Sequence, residues 1–458
     1  MDAPTRRTPA PARWTRRARL RAAAVPLALP LAAAALGGCA RAGEQSAAAP
    51  AGSLAGVTVR YWNRAGASSP EEVARTKVLE AFNAQNPSGA RVVVEELGVP
   101  DAKFTAAIAS ATTPDLTISH QVFLVDFFRV GATVDVDAEL KGDAEWKRVR
   151  PSAYPNILKG LSWKDKLYGL PSHNSFFLMY YSPEALRRAG LSLPPPRTWS
   201  REAFVEYLRK AARPADELFG YDSRWDHQHW AMFLLNNGAS IADKDSTRLL
   251  IDSPESLETV EWKLGLVRSG LMRPHDGSAT GGYKEWLPEG KAVFQFAVPN
   301  RVRSWRQTGI EFGTCFFPLG PKNTAKTNYA FGSALGTAVF KNGDSRKVQA
   351  ALQAGLWQSR PDAGMVFAQD GGVPPSYRHI VEATDFQAVW KKDAESWPFY
   401  EALPGFVPEL NFPKYWDAMA AVTAQLQAIW GGKTSVRDGL TEAQRLAQQI
   451  LDESRRGA

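Results

Sequence analysis

Apolar and polar positions along this chain switch repeatedly between the short runs of strands and the four-residue spacing of helices. Val57-Thr-Val-Arg-Tyr-Trp62 is an apolar-rich run of strand length. After a loop through Gly66, Ser69 can cap a helix with Pro70 at its first position and Glu71 and Glu72 in its first turn. Ala74, Val78 and Phe82 share one face of that helix before Asn86-Pro87 stops it. A strand over 91–97, a helix carrying Phe104, Ile108 and Ala111, and a short strand reaching Ile118 come next. Strands alternating with helices predict an α/β fold, a parallel sheet with helices on its faces.

The same order resumes downstream. Segments 166–171 and 176–181 predict two strands separated by Ser172-His173-Asn174-Ser175, a polar interruption that is out of place in an apolar core. Helices are expected over 183–189 and 200–212, and over 253–270, where Leu257, Val260, Leu264 and Val267 form one stripe closed by Gly270. Further strands are expected at 292–296, 310–317 and 335–340. The C-terminal part predicts helices over 346–359, 361–369, 414–430 and 436–454, and there is no internal repeat.

The first residues follow another logic. Arg6, Arg7, Arg13, Arg16, Arg17, Arg19 and Arg21 stand against Asp2, and the apolar run 22–36 after them is about 15 residues, short of the roughly 20 that span a bilayer. A basic start, an apolar centre and small residues at the end are the parts of an export signal, here 1–38. Leu36-Gly37-Gly38-Cys39 resembles a bacterial lipobox, which implies acylation of Cys39 and anchoring to the outer face of the cytoplasmic membrane. Residues 15–21 also resemble a twin-arginine signal, with Arg19 departing from it, so the general secretory and twin-arginine routes both stay open. Residues 39–55, rich in Ala, Gly and Ser, then read as a flexible tether.

Removing that signal changes the meaning of the charge. The whole chain carries a net charge of +8, but the signal holds most of it, so nucleic acid is not an expected partner. The second cysteine, Cys315, has no partner for a disulfide and lies in an apolar run, where it is expected as a small buried hydrophobe. Stability must therefore come from core burial.

No HExxH, paired CxxC, GxSxG, GxGxxG or Walker motif is present, so no catalytic residue, metal or cofactor is expected. The excess is aromatic: 15 Trp, several in polar company. Trp225-Asp226-His227-Gln228-His229-Trp230 alternates rings with hydrogen-bonding groups. A sugar needs that alternation, since its C–H faces stack on rings and its hydroxyls need donors and acceptors. The competing reading makes this a loop whose tryptophans fill core gaps, most strongly for Trp230. Asn63 and Arg64 follow a strand's C-terminal end, where open α/β sheets bind ligands, and His120 and Gln121 hold the equivalent place after the next strand. For both loops a solvated turn is the alternative.

Taken in order, these fragments resemble the family 1 extracellular solute-binding proteins, whose best-known members bind maltose and related sugars. The marks are Val57 through Trp62, Phe82-Asn-Ala-Gln-Asn-Pro87, Ala106 through Asp115, Tyr168-Gly-Leu-Pro171, Met179-Tyr-Tyr-Ser-Pro-Glu184, Pro194 through Trp199, Gly290-Lys-Ala and Gly371-Gly-Val-Pro374. The resemblance implies a two-lobed, periplasmic-binding-protein-like fold of type II, with hinge crossings near 171–175, 331–336 and 372–378. It implies one lobe of 56–172 with return segment 334–375, and a second of 173–333 with 376–458. Carried over residue by residue, it implies ligand contacts from Trp62, Asn63, Arg64, His120, Gln121, Asn174 and Ser175. The second lobe would add Trp225, Asp226, His227, Asn300 and Arg301, with Trp416 from the late helical segment. It also implies a monomer that hands a mono- or oligosaccharide to the permease of an ABC importer. The rival readings are a binding protein for a peptide, polyamine or organic acid, and a lipoprotein glycoside hydrolase with two facing carboxylates.

Overall fold

The computed structural model describes residues 53–194, 197–222, 224–273 and 286–456; the export segment, Cys39 and most of the tether lie outside them. In chain order the described strands are β1 (Thr58–Asn63), β2 (Arg91–Leu97), β3 (Leu116–His120), β4 (Ser162–Trp163), β5 (Lys166–Leu167), β6 (Leu170–Phe176) and β7 (Leu178–Tyr181). They continue with β8 (Phe219–Asp222), β9 (Ala292–Ala297), β10 (Gly313–Cys315), β11 (Ala330–Val339) and β12 (Phe406–Pro408). Ser69 caps the helix Pro70–Gln85 as expected, its hydroxyl accepting from the Glu72 amide at 3.1 Å.

Two sheets organise the body. The first runs β12-β11-β3-β1-β2 with β6 also paired to β11, and the second runs β10-β7-β9-β8. β1 lies parallel to β2 and β3, whereas β11 runs antiparallel to β3 and β6. Two apolar clusters follow the sheets without dividing strictly between them, since Leu178, Tyr180 and Ala297 of the second sheet belong to the first cluster and Phe331 of β11 to the second. Val59, Ile118, Leu170 and Ala338 belong to the first, and Phe233, Phe294, Met419 and Leu440 to the second, which includes the helices Tyr415–Trp430 and Val436–Arg456. Phe386, Phe399 and Tyr400 of segment 376–405 join the first cluster beside Tyr180 and Trp305.

The chain changes sheets at Phe177, between β6 and β7, and again between β10 and β11. A third passage follows β12 at 409–414, leading into Tyr415–Trp430. It does not lie at 372–378, because that segment runs along β6: Asn174 donates its amide to the Pro374 carbonyl at 2.9 Å and Ser376 to Ser172 at 3.2 Å. The polar run 172–175 is also no interruption. Ser172, His173 and Asn174 sit fully buried inside β6, matched by Gln358, Arg75 and Ser376.

β6 and β11 approach so closely at Gly332 that a Cβ there would lie 2.4 Å from the Ser175 carbonyl oxygen and 2.5 Å from the Phe176 Cα. Both obstacles are backbone and cannot swing aside. Gly332→Ala is therefore expected to lower unfolding free energy by about 1–3 kcal/mol, measured by urea denaturation. Wild-type stability in that variant would mean that the two strands part easily here.

Candidate functional site

The C-terminal ends of β1 and β3 deliver Asn63-Arg64 and His120 to one edge of the first sheet, and the helix Gln121–Arg129 starts from that edge. The helix Pro70–Gln85 brings a buried ion pair beneath them. Arg75 Nη1 donates to Glu72 Oε2 at 2.6 Å, with both side chains nearly inaccessible. Asn63 Nδ2 donates to the same oxygen, and Arg75 Nη2 lies 3.4 Å from His173 Nε2. Across the seam, Asn300, just ahead of the helix Arg301–Thr308, donates from Nδ2 to Glu71 Oε1 at 3.3 Å. Burial pushes the Glu71 carboxyl above its usual range, against the opposing charges of Arg75 and Arg301 and the Asn300 hydrogen bond.

Beside this polar patch the two lobes meet through rings. The Arg64 guanidinium lies 3.3 Å from the centroid of Phe123 and pairs with Asp101 at 2.7 Å. Phe123 stacks on Trp416 at 5.8 Å and 17°, and Trp416 meets His227 edge-on at 5.3 Å. Behind His227 sits Glu409, 1% exposed. It accepts from Gln228 Nε2 at 3.0 Å and from the Ser333 hydroxyl, with His227 Nε2 3.7 Å away. Burial alone would raise the Glu409 pKa, but His227, Ser333 and Gln228 outweigh it and hold the carboxyl below its usual range. Gln121 donates to the Glu409 carbonyl at 3.3 Å. Burial lowers His120 to about 4, with Arg64 and Arg75 acting in the same direction against Glu409, so its imidazole is neutral at pH 7.

Several buried side-chain atoms here lack a hydrogen-bond partner, and they are of both kinds. Arg64 Nη1, Arg75 Nε and Trp416 Nε1 are donors, whereas Glu72 Oε1, Gln121 Oε1, Asn174 Oδ1 and Asn300 Oδ1 are acceptors. Folded proteins leave few such atoms, and a cluster of them calls for an explanation. A cavity of about 800 Å³ adjoins the seam, lined by residues of 159–165, 244–246, 407–413 and 451–455, and Glu409 is common to both.

The fold thus brings Asn63, Arg64, His120, Gln121, His227, Asn300, Arg301 and Trp416 to the seam. Asn174 is fully buried and donates to Pro374 and Ser376, and Ser175 pairs in register with Ser333. Three expected contacts stand apart. Trp62 alternates to the other side of β1, where its indole donates to Glu95 at 2.6 Å and packs on Phe104. Trp225 is 1% exposed and stacks on Trp430 at 5.8 Å and 11°, with the Lys263 ammonium 4.3 Å from its ring. Asp226 caps the helix His227–Asn236, accepting from the His229 amide at 2.9 Å and pairing with Arg224 at 2.9 Å. Burial would raise the Asp226 pKa, yet His229 and Arg224 hold it well below the usual range. Among the described residues no group of three or more His, Cys, Asp or Glu could hold a metal ion.

Glu72, Arg75, Phe123 and Glu409 are the seam residues that the sequence pattern missed. Glu72 and Arg75 carried a signal, an acid and a base three residues apart on the helix face that also holds Val78 and Phe82. Glu409, between prolines and far along the chain from its partners, carried none.

Comparison with known proteins agrees with this architecture. A profile described as bacterial extracellular solute-binding protein matches residues 77–398. A Brucella abortus (strain 2308) protein named for binding is 24% identical over 387 residues, covering 82% of this chain and 89% of that one. A substrate-binding protein of an ABC system from Listeria monocytogenes, solved with cycloalternan, superposes with TM-score 0.74 at 16% identity, covering 86% of this chain and 99% of that one. The cyclic alpha-maltosyl-1,6-maltose binding protein from Arthrobacter globiformis superposes with TM-score 0.73 at 18% identity, covering 87% and 99%. The fold is that of the two-lobed binding proteins.

Proposed function

The chain belongs to the bacterial extracellular solute-binding proteins, and from that premise we propose that it captures a neutral mono- or oligosaccharide in the seam between its lobes and presents it to the permease of an ABC importer. The observation that carries this reading is the mixture of unpartnered donors and acceptors along the seam, next to the Phe123–Trp416 stack. A hydroxyl both donates and accepts, whereas a carboxylate only accepts and an ammonium only donates. The formal charges already have partners within the protein: Arg64 with Asp101, Arg75 with Glu72, and Glu409 with Gln228 and Ser333. An uncharged ligand leaves those pairs intact, which favours a sugar over a polyamine or organic acid. The same pairing leaves Glu72 and Glu409 engaged, without the free facing carboxylates that glycoside hydrolysis uses.

In this reading a ligand bridging both lobes favours the closed state by its higher affinity for that state, and the importer responds to closure. Following the two sheets, the first lobe would comprise 56–176 with 330–408 and the second 177–329 with 409–458, which moves the bounds expected from the sequence. Export as a monomeric lipoprotein held through Cys39 completes the proposal; no described helix is long and apolar enough to cross a membrane.

The test is the melting temperature of residues 40–458 against neutral saccharides, uronic acids, polyamines, amino acids and peptides. A rise with one neutral saccharide class is expected, and Trp416→Ala should weaken that ligand by about 2 kcal/mol, roughly 30-fold. A shift with charged solutes alone would replace the sugar assignment and leave the importer role.

A further inference from the structure

We propose that Glu409 is the positioning residue of lobe closure, holding the first turn of the second lobe's helix His227–Asn236 against the strands that join the lobes. This rests on the closing, two-lobed reading given above. Glu409 stands at the end of β12, where its amide donates to the Gly332 carbonyl at 2.8 Å and so ties it to β11. From there it reaches in three directions. One carboxylate oxygen accepts from Ser333, still on β11. The other accepts from Gln228 at 3.0 Å, in the first turn of the second lobe's helix. Its carbonyl accepts from Gln121, at the start of the first lobe's helix Gln121–Arg129.

Because the group is buried and ionised, its partners cannot leave it without a substantial desolvation cost. The consequence is geometric. Holding Gln228 also fixes its neighbour His227, and His227 supports the edge of Trp416, which faces Phe123 on the first lobe. The carboxylate therefore couples the angle of the second lobe to the aromatic wall of the seam without itself being part of that wall.

An exchange of partners tests this. Gln228→Glu sets a second carboxylate against Glu409 and should drive the lobes apart, and Glu409→Gln should loosen them by removing the charge. The double variant, with the two residues exchanged, rebuilds one carboxylate facing one carboxamide. The readout is small-angle X-ray scattering of residues 40–458 without added ligand, with a melting curve for each variant. Expected are a larger radius of gyration for Gln228→Glu and a return to the wild-type value in the exchange. If Gln228→Glu keeps the wild-type radius, or only melts earlier, closure does not depend on Glu409 and the proposal is overturned. A failure of the exchange to restore the radius overturns it as well. Gln228 is only half-buried, so its variant provides a decision even if Glu409→Gln does not fold. No ligand enters this measurement, so failure of the saccharide panel is a separate result.

Discussion

Arg75→Met is expected to lower unfolding free energy by about 3–5 kcal/mol, because it strips a buried carboxylate of its counter-charge. Arg75 is 2% exposed and pairs with Glu72 at 2.6 Å, in a pocket that Tyr61 and Asn63 also close. Glu71 next to it already has a pKa raised by burial, and Arg75 is its foremost opposing charge. Losing the guanidinium leaves the buried Glu72 carboxylate and the half-buried Glu71 beside it without the cation they share. Urea denaturation checks the figure. Glu72→Gln combined with Arg75→Met should recover much of the loss, since it removes both charges together. A single variant costing under about 1 kcal/mol would show that the pair is better hydrated than its burial indicates.

Trp225→Ala is expected to cost about 3–5 kcal/mol as well, through the cavity left beside Trp430. The indole is enclosed by Trp430 and the Lys263 side chain, and both belong to the second lobe's own packing. Affinity for the saccharide that raises the melting temperature should stay near the wild-type value in the protein that remains folded. Denaturation and titration calorimetry read the two effects separately. Intact stability with lost affinity would instead return Trp225 to the ligand, as the alternation of rings and polar groups in 225–230 suggests.

Much of the fold was legible because it is written locally. Ser69-Pro70 and Ser253-Pro254 each open a helix, and the capping hydroxyls accept from the amides three residues on. Strands 91–97 and 292–296 were likewise visible as apolar runs. The helix His227–Asn236 was missed because its first turn is polar and Asp226 resembles a ligand contact as much as a cap. The strand β6 was broken in two because Ser172, His173 and Asn174 read as solvent-facing, whereas their partners, Gln358, Arg75 and Ser376, lie more than 90 residues away in sequence.

The site divides in the same way. Arg64 and His120 were legible as residues of the sheet's edge because a position at a strand's end follows from element order. Trp62, the last residue of the first strand run, was expected at the ligand through the family resemblance, and only the pleat of β1 turned it to Glu95 and Phe104 instead. The sequence alone determined the α/β class, most of the order of elements, the residues at the strand ends and the resemblance that names the family, since each depends on neighbours within a few turns of chain. Only the tertiary structure decided that Glu409, Ser333, Gln228 and Gln121 share one carboxylate, that 409–414 is a passage between lobes, and that Trp225 faces Trp430. Those depend on packing between segments up to about 290 residues apart, and no local periodicity encodes where such segments meet.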